Sequence, residues 1–121
     1  ILKRELKNLL QEFDPTNKFK LDPTTIVIDI ENKHVGKGFA LERILSWLKK
    51  KKIRPKKFIA IGDSRGDIKM TEKLHEENLP FEFVYVGEKD DLKDLRLNFP
   101  IVYTQKRFDE GSLEYLNSFK I

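Results

Sequence analysis

Cysteine is absent from the sequence, and its absence excludes a disulfide scaffold, a cysteine-ligated zinc site and thiol catalysis. The sequence also has no apolar run near the roughly 18 to 20 residues that cross a bilayer, and it has no signal-peptide pattern. Internal repeats and low-complexity linkers are missing as well. We therefore expect a cytoplasmic protein with one main compact core and no membrane partner.

Charge, in contrast, is plentiful: 36% of the 121 residues are charged and the net charge is +4. High lysine, glutamate and isoleucine contents are typical of a heat-adapted source. Residues 49–57 contain seven basic residues in nine. Such a run can bind nucleic acid, but no aromatic residue is interleaved, Pro55 forces a turn, and cations complement the end of a helix. A solvated helix end is the favoured interpretation, and nucleic-acid binding is the alternative.

The first 34 residues differ in pattern from the rest of the chain. Apolar residues recur at helical spacing through residues 2–13 and predict an amphipathic helix. Asp14 precedes a proline and therefore ends this helix. Two short strands, residues 19–21 and 25–30, flank the turn at residues 22–24. Residues 1–34 are thus predicted to form a helix–strand–strand unit.

From residue 35 onward, helices and strands alternate. The apolar run at residues 58–62 predicts a strand that is buried on both faces. The alternation predicts an α/β fold, with a Rossmann-type parallel sheet and helices on its faces. The other predicted elements are helices at 39–51, 67–77 and 90–96, strands at 83–86 and 101–103, and a terminal helix through Leu113, Leu116 and Phe119 that Asp109 or Ser112 caps.

Two carboxylates follow the predicted strand at residues 58–62. Ligands bind beyond the carboxyl ends of parallel strands, and there Asp63 and Asp67 are four residues apart. Such oxygen ligands suit Mg²⁺ when water and phosphate fill the remaining positions. Arg65, in the same loop, could reach a phosphate or be solvated. Alternatively, Asp67 caps the next helix and Asp63 ends the strand, without any metal.

A lysine lies between two glycines before the first helix of this α/β region. The ammonium of Lys37 and backbone N–H groups such as that of Gly38 can face an anion there. A surface lysine in a glycine turn is the alternative interpretation. Because this lysine and the carboxylates both stand at helix starts of one α/β unit, together they predict a phosphate pocket.

Residues 35–41 (VGKGFAL), followed by residues 58–67 (FIAIGDSRGD), resemble the third and fourth motifs of the haloacid dehalogenase superfamily. More narrowly, they resemble its Cof-type sugar-phosphatase branch, subclass IIB, which has a large cap inserted before the third motif. The opening helix–strand–strand unit is similar to the end of such a cap. The resemblance thus implies a cap remnant at 1–34 and the C-terminal half of the α/β core at 35–121.

The resemblance implies phosphoryl transfer through an aspartyl-phosphate, with Mg²⁺ as cofactor. Lys37 matches the family lysine that neutralises the transferring group. Asp63 and Asp67 match the acidic pair, of which the first usually holds Mg²⁺ and the second supports it directly or through water. Ser64 matches a residue that often hydrogen-bonds nearby, close to the phosphate.

The Asp-x-Asp motif that carries the family's nucleophile is not visible in the sequence. Asp29 and Glu31 have a similar pattern, but they lie too close to Lys37 to leave room for the second motif. We therefore expect the chain, which begins at Ile1, to be the C-terminal half of a longer enzyme, inactive alone. Its expected partner is the missing N-terminal half or a second copy of itself.

The sequence is compatible with three functions. The first is a Mg²⁺-dependent phosphatase acting on a small phosphorylated metabolite, such as a sugar phosphate. The second is a non-catalytic module that binds Mg²⁺ and an anion. The third is nucleic-acid binding through residues 49–57, which is the weakest of the three.

Overall fold

The structure, a computed structural model, describes residues 1–23 and 28–119. Its elements follow the predicted order of a helix and hairpin, then an α/β region. Their bounds are α1 (Leu2–Phe13), β1 (Phe19–Pro23), β2 (Ile28–Asn32), α2 (Lys37–Lys50), β3 (Phe58–Gly62), α3 (Arg65–Glu76), β4 (Phe81–Tyr85), a 3₁₀ turn (Lys89–Leu92), β5 (Ile101–Tyr103) and α4 (Phe108–Asn117).

The first unit is an amphipathic helix followed by an antiparallel hairpin. The chain reverses direction after α1, and the Asp14 carboxylate stabilises this turn by accepting a hydrogen bond from Phe19 N at 2.8 Å. Strands β1 and β2 pair so that Lys20 lies opposite Glu31. The strand predicted at 25–30 is seen from Ile28 onward, while residues 25–27 lie outside the described residues.

The second unit contains a parallel sheet of three strands in the order β3-β4-β5. The connection from β3 to β4 runs through α3, which packs on both strands, and α2 packs on α3. This arrangement confirms the predicted α/β fold with a parallel sheet and flanking helices.

The core lies around β4, the central strand. Phe83, Val84 and Tyr85 are fully buried on this strand, which pairs with β3 on one edge and β5 on the other. Ile68 from α3 and Leu92 from the 3₁₀ turn pack against this strand as part of the same buried cluster. The buried cluster therefore joins β3, α3, β4 and the 3₁₀ turn.

The prediction that residues 58–62 are buried on both faces is wrong. Ile59 is 41% exposed, so the face of β3 that carries this side chain is only partly covered by the described residues.

Two smaller predictions are also wrong. The helix predicted at 90–96 is a single 3₁₀ turn. The terminal helix α4 has Arg107 at its N-cap, without a side-chain cap, so neither Asp109 nor Ser112 caps it. Ser112 instead donates from its Oγ to the carbonyl of Phe108 inside the helix.

The basic run at 49–57 covers the end of α2 and the connection into β3. Lys49 and Lys50 form the last turn of α2, where positive charge complements the helix dipole. Lys57, just before the first residue of β3, pairs with Glu82 at 2.5 Å. The run therefore lies at the opposite end of β3 from Asp63. Among the described helices, none has the length and apolar character needed to cross a membrane.

Tyr85 ties the core to the carboxyl end of β3, since its hydroxyl donates to the carbonyl of Asp63 at 3.0 Å. Burial, together with the carboxylates of Asp91, Asp63 and Asp67, raises the pKa of Tyr85 to about 12. A raised pKa means that the folded chain binds this proton more tightly than the unfolded chain. Its stabilising contribution is therefore complete below pH 10 and is lost as the pH rises towards 12.

We expect Tyr85→Phe to lower the free energy of unfolding by about 1 kcal/mol at neutral pH, because the Asp63 carbonyl loses its donor. Between pH 10 and 12 the variant should lose less stability than the wild type does. Urea unfolding across this pH range measures both effects. Tyr103→Phe, at a partly exposed tyrosine of β5, is the control. Equal pH slopes for wild type and Tyr85→Phe would contradict the prediction.

Candidate functional site

The candidate site lies where β3 ends and α3 begins, at the carboxyl edge of the parallel sheet. Ser64 is the N-cap of α3 and Asp67 is its third residue, and the two form a capping box. The helix begins two residues earlier than the sequence predicted. As a result, the Asp67 carboxylate turns back towards the strand end and does not point along the helix surface.

Asp67 is the most heavily hydrogen-bonded carboxylate of the site. Its side chain is nearly buried, and Oδ2 accepts from Asp63 N, Ser64 N and Ser64 Oγ, each at 3.0 Å. Gly62 makes room for this side chain, because a Cβ at Gly62 would lie 2.2 Å from the Cβ of Asp67. Position 62 therefore requires glycine, because any larger side chain would collide with Asp67.

Lys37 contacts the other oxygen of the same carboxylate. Its ammonium donates to Asp67 Oδ1, across 30 residues of sequence. Lys37 is the first residue of α2, whereas the sequence predicted a helix beginning at residue 39. Since α2 packs on α3, the two helix starts lie side by side. The structure thus brings Lys37 and Asp67 together, and the Lys37 side chain remains half exposed.

Asp63 differs from Asp67 in that its carboxylate is exposed and makes no hydrogen bond or ion pair within the described part of the chain. Its backbone, in contrast, is fixed by the Tyr85 hydroxyl. Gly87 lies against the same carbonyl, and a Cβ there would come within 2.3 Å of Asp63 O. Asp63 is therefore a fixed residue that presents a carboxylate with available oxygens.

The two other residues predicted to bind phosphate have different surroundings. Gly38 lies in the first turn of α2, one residue after Lys37. The guanidinium of Arg65 pairs with Asp94 at 2.5 Å and donates to the carbonyl of Asp91 at 2.9 Å. Arg65 would have to exchange these partners to reach a phosphate. A phosphate-binding role for Gly38, Ser64 and Arg65 stays a prediction.

A cavity of about 270 Å³ opens between this strand end and the start of α4. Asp63 and Asp67 line one side, and Asp109 and Ser112 line the other. Sequence reasoning considered the latter two only as helix caps. Both residues follow β5, and the carboxyl ends of parallel strands lie at one edge of a sheet. Their place in the sequence could therefore have identified them as candidate site residues.

A metal ion at this site would find only a partial ligand set. Within residues 1–23 and 28–119, no three or more His, Asp or Glu side chains are arranged to hold a metal. Mg²⁺ commonly takes one or two carboxylates and completes its shell with waters and phosphate oxygens. Asp63 has the available oxygens for such a role, and Asp67, with both oxygens engaged, could act only through water or after Lys37 moves away.

Comparison with known proteins gives one result. A sequence model described as a haloacid dehalogenase-like hydrolase matches residues 2–76, more than half of the chain. The matched stretch runs from α1 to the end of α3 and includes Lys37, Asp63 and Asp67. It confirms the resemblance that residues 35–41 and 58–67 carry. No curated protein and no solved structure matches the chain.

Proposed function

The chain belongs to the haloacid dehalogenase-like hydrolases, and we propose that it supplies the lysine and carboxylate half of a Mg²⁺-dependent phosphatase. The observation that carries the proposal is the contact between Lys37 and Asp67 beside the available carboxylate of Asp63. One cation and two carboxylates at one sheet edge suit a bound phosphate and a divalent ion together.

Each of these residues has a distinct role in the proposal. Asp63 would hold Mg²⁺ and Asp67 would support it through water; the bound ion would supply charge neutralisation for the phosphoryl oxygens. Lys37 would offer its ammonium to the same phosphoryl group, which is negatively charged in the ground state and in the transition state. Asp67 would keep this ammonium and the Asp63–Ser64 backbone in a fixed arrangement.

The nucleophile of the proposed reaction is an aspartate outside this sequence. Its carboxylate oxygen would form a bond to phosphorus while the bond to the leaving oxygen breaks, and water would then hydrolyse the aspartyl-phosphate. Asp29, the alternative within the chain, lies in β2 opposite Asp22, another carboxylate of the hairpin. Two facing carboxylates on an antiparallel hairpin do not provide the charge stabilisation that the reaction needs.

The edge of β3 supports the proposal that another segment completes the site. Phe58 N and Gly62 O bond towards β4, so the backbone groups of Ile59 and Ile61 point away from it. No described strand pairs with that second edge. A strand added there in parallel would end beside Asp63, and it would cover the exposed side chain of Ile59.

The substrate we propose is a small phosphorylated metabolite, such as a sugar phosphate. The cavity of about 270 Å³ beside Asp63 and Asp67 has room for a phosphoryl group. Its walls include no aromatic platform for a nucleic-acid base other than Phe108.

A Mg²⁺ titration of the ¹⁵N-labelled chain tests the proposed metal site. We expect Mg²⁺ to shift the amide signals of residues 62–66, and Asp63→Asn to weaken this binding about tenfold or more. Asp90→Asn is the matched control, because it removes the same charge from an exposed position in the 3₁₀ turn. Equal binding by Asp63→Asn and Asp90→Asn would contradict the metal assignment.

A second measurement separates a phosphatase from a binding module. In a polypeptide that includes the proposed nucleophile-bearing segment, Asp63→Asn should lower kcat by about 100-fold or more. Hydrolysis by the 121-residue chain alone would contradict an external nucleophile. Mg²⁺ binding without hydrolysis in the longer polypeptide would favour the non-catalytic module.

A further inference from the structure

Lys20 links the hairpin to the loop that precedes Lys37. Lys20 is on β1 and faces Glu31 on β2, with its ammonium 3.0 Å from the Glu31 carboxylate. The same ammonium donates to the backbone carbonyl of Val35 at 3.1 Å. About 28% of the Lys20 side chain is exposed, so most of it is enclosed by these contacts.

The start of α2 depends on contacts of this kind because it has no capping side chain. Its N-cap is Gly36, at φ +135°, a backbone conformation that favours glycine. Before it, Lys33 N donates to Lys18 O at 2.8 Å and Val35 N donates to Asn32 O at 3.1 Å. Lys20 adds a further contact between the hairpin and this loop, because its ammonium donates to the carbonyl of the residue that immediately precedes Gly36.

The charge of Lys20 makes this contact unusual. The N-terminus of a helix carries partial positive charge, so an ammonium beside it is unfavourable unless a carboxylate compensates. Glu31 supplies that carboxylate for Lys20, just as Asp67 supplies it for Lys37. Two ammonium groups thus lie at one helix start, each with its own carboxylate on a different element.

We propose that Lys20 is a positioning residue for Lys37. By holding the Val35 carbonyl, Lys20 fixes where α2 begins and therefore where the Lys37 ammonium lies relative to Asp67. The side chain of Lys20 thereby couples the hairpin to the start of α2. The inference rests on the proposed role of Lys37 in catalysis, but its test measures the environment of Lys37 and needs no turnover.

The test is competitive acetylation of lysines in the 121-residue chain, quantified at each lysine by mass spectrometry. The contact with the Asp67 carboxylate occupies the Lys37 amine and hinders its attack on the acetylating reagent. We expect Lys20→Met to raise the acetylation rate of Lys37 roughly two- to fivefold, the change expected for loss of a partly exposed ion pair. Lys20→Arg, which keeps the charge and donors, should restore the wild-type rate.

Two controls separate positioning from general loosening. Lys7→Met removes an exposed lysine of α1 and should leave Lys37 unchanged. Glu31→Gln retains Lys20 but removes its carboxylate, and it should raise Lys37 reactivity in the same direction. Equal Lys37 rates in Lys20→Met and Lys7→Met would overturn the proposal. An equal rise at Lys57, which pairs with Glu82, would also overturn it, because the whole chain would then have loosened.

Discussion

Gly62→Ala is expected to destabilise the chain by about 3 kcal/mol or more, a loss typical of severe overpacking. The added methyl carbon would lie 2.2 Å from the Cβ and 2.4 Å from the Cγ of Asp67. Asp67 cannot move aside easily, because three hydrogen bonds at 3.0 Å hold its Oδ2. Urea unfolding, followed by circular dichroism, measures the loss.

Gly66→Ala is the matched control, four residues further along. At Gly66 the nearest atom to a new Cβ is Ser64 Oγ, at 3.7 Å, which is an ordinary contact. Because Gly66 is the second residue of α3, alanine there should be tolerated and should stabilise the chain by at most about 1 kcal/mol. Similar stabilities for the two alanine variants would show that Asp67 has room to shift, against the geometry described above.

Much of the fold follows from the sequence pattern alone. The apolar run at residues 58–62 and the helix stripe through Leu41 correctly indicated a strand and a helix of an α/β layer. The burial of β3 could not be derived from the sequence. The apolar pattern describes only the residues of the strand itself, whereas burial depends on which other elements pack against that strand. The prediction of a helix at 90–96 was wrong for a related reason. The four-residue 3₁₀ turn is enough to bury Leu92, so a longer helix is not required there.

The candidate site was predicted in its parts but not in its connections. The sequence offered metal binding and helix capping as alternatives for Asp67. In the structure its capping contacts and its contact with Lys37 use different oxygens of one carboxylate. The partners of Arg65 were not predictable, because Asp94 lies 29 residues away and becomes adjacent only after the 3₁₀ turn folds beside α3. Long-range pairs of this kind depend on tertiary packing, which local patterns do not encode.

Asp67→Ala is expected to lower the free energy of unfolding by about 3 kcal/mol, because it leaves several donors without an acceptor. The amides of Asp63 and Ser64 lose their partner in the enclosed strand end, and the Lys37 ammonium loses its carboxylate. Asp67→Asn keeps one oxygen for the amides but presents no charge to Lys37. Its loss should be smaller, about 1 to 2 kcal/mol. Chemical denaturation of both variants measures the difference.

Asp63→Ala is the matched control for Asp67→Ala, since it removes the same group from the same loop. Its carboxylate is exposed and has no partner among the described residues, so its removal should change stability by no more than about 0.5 kcal/mol. The two aspartates then separate by function: Asp67 maintains the structure of the site, and Asp63 remains available to a ligand. A large stability loss for Asp63→Ala, or a negligible loss for Asp67→Ala, would reverse these roles and with them the proposed Mg²⁺ ligand.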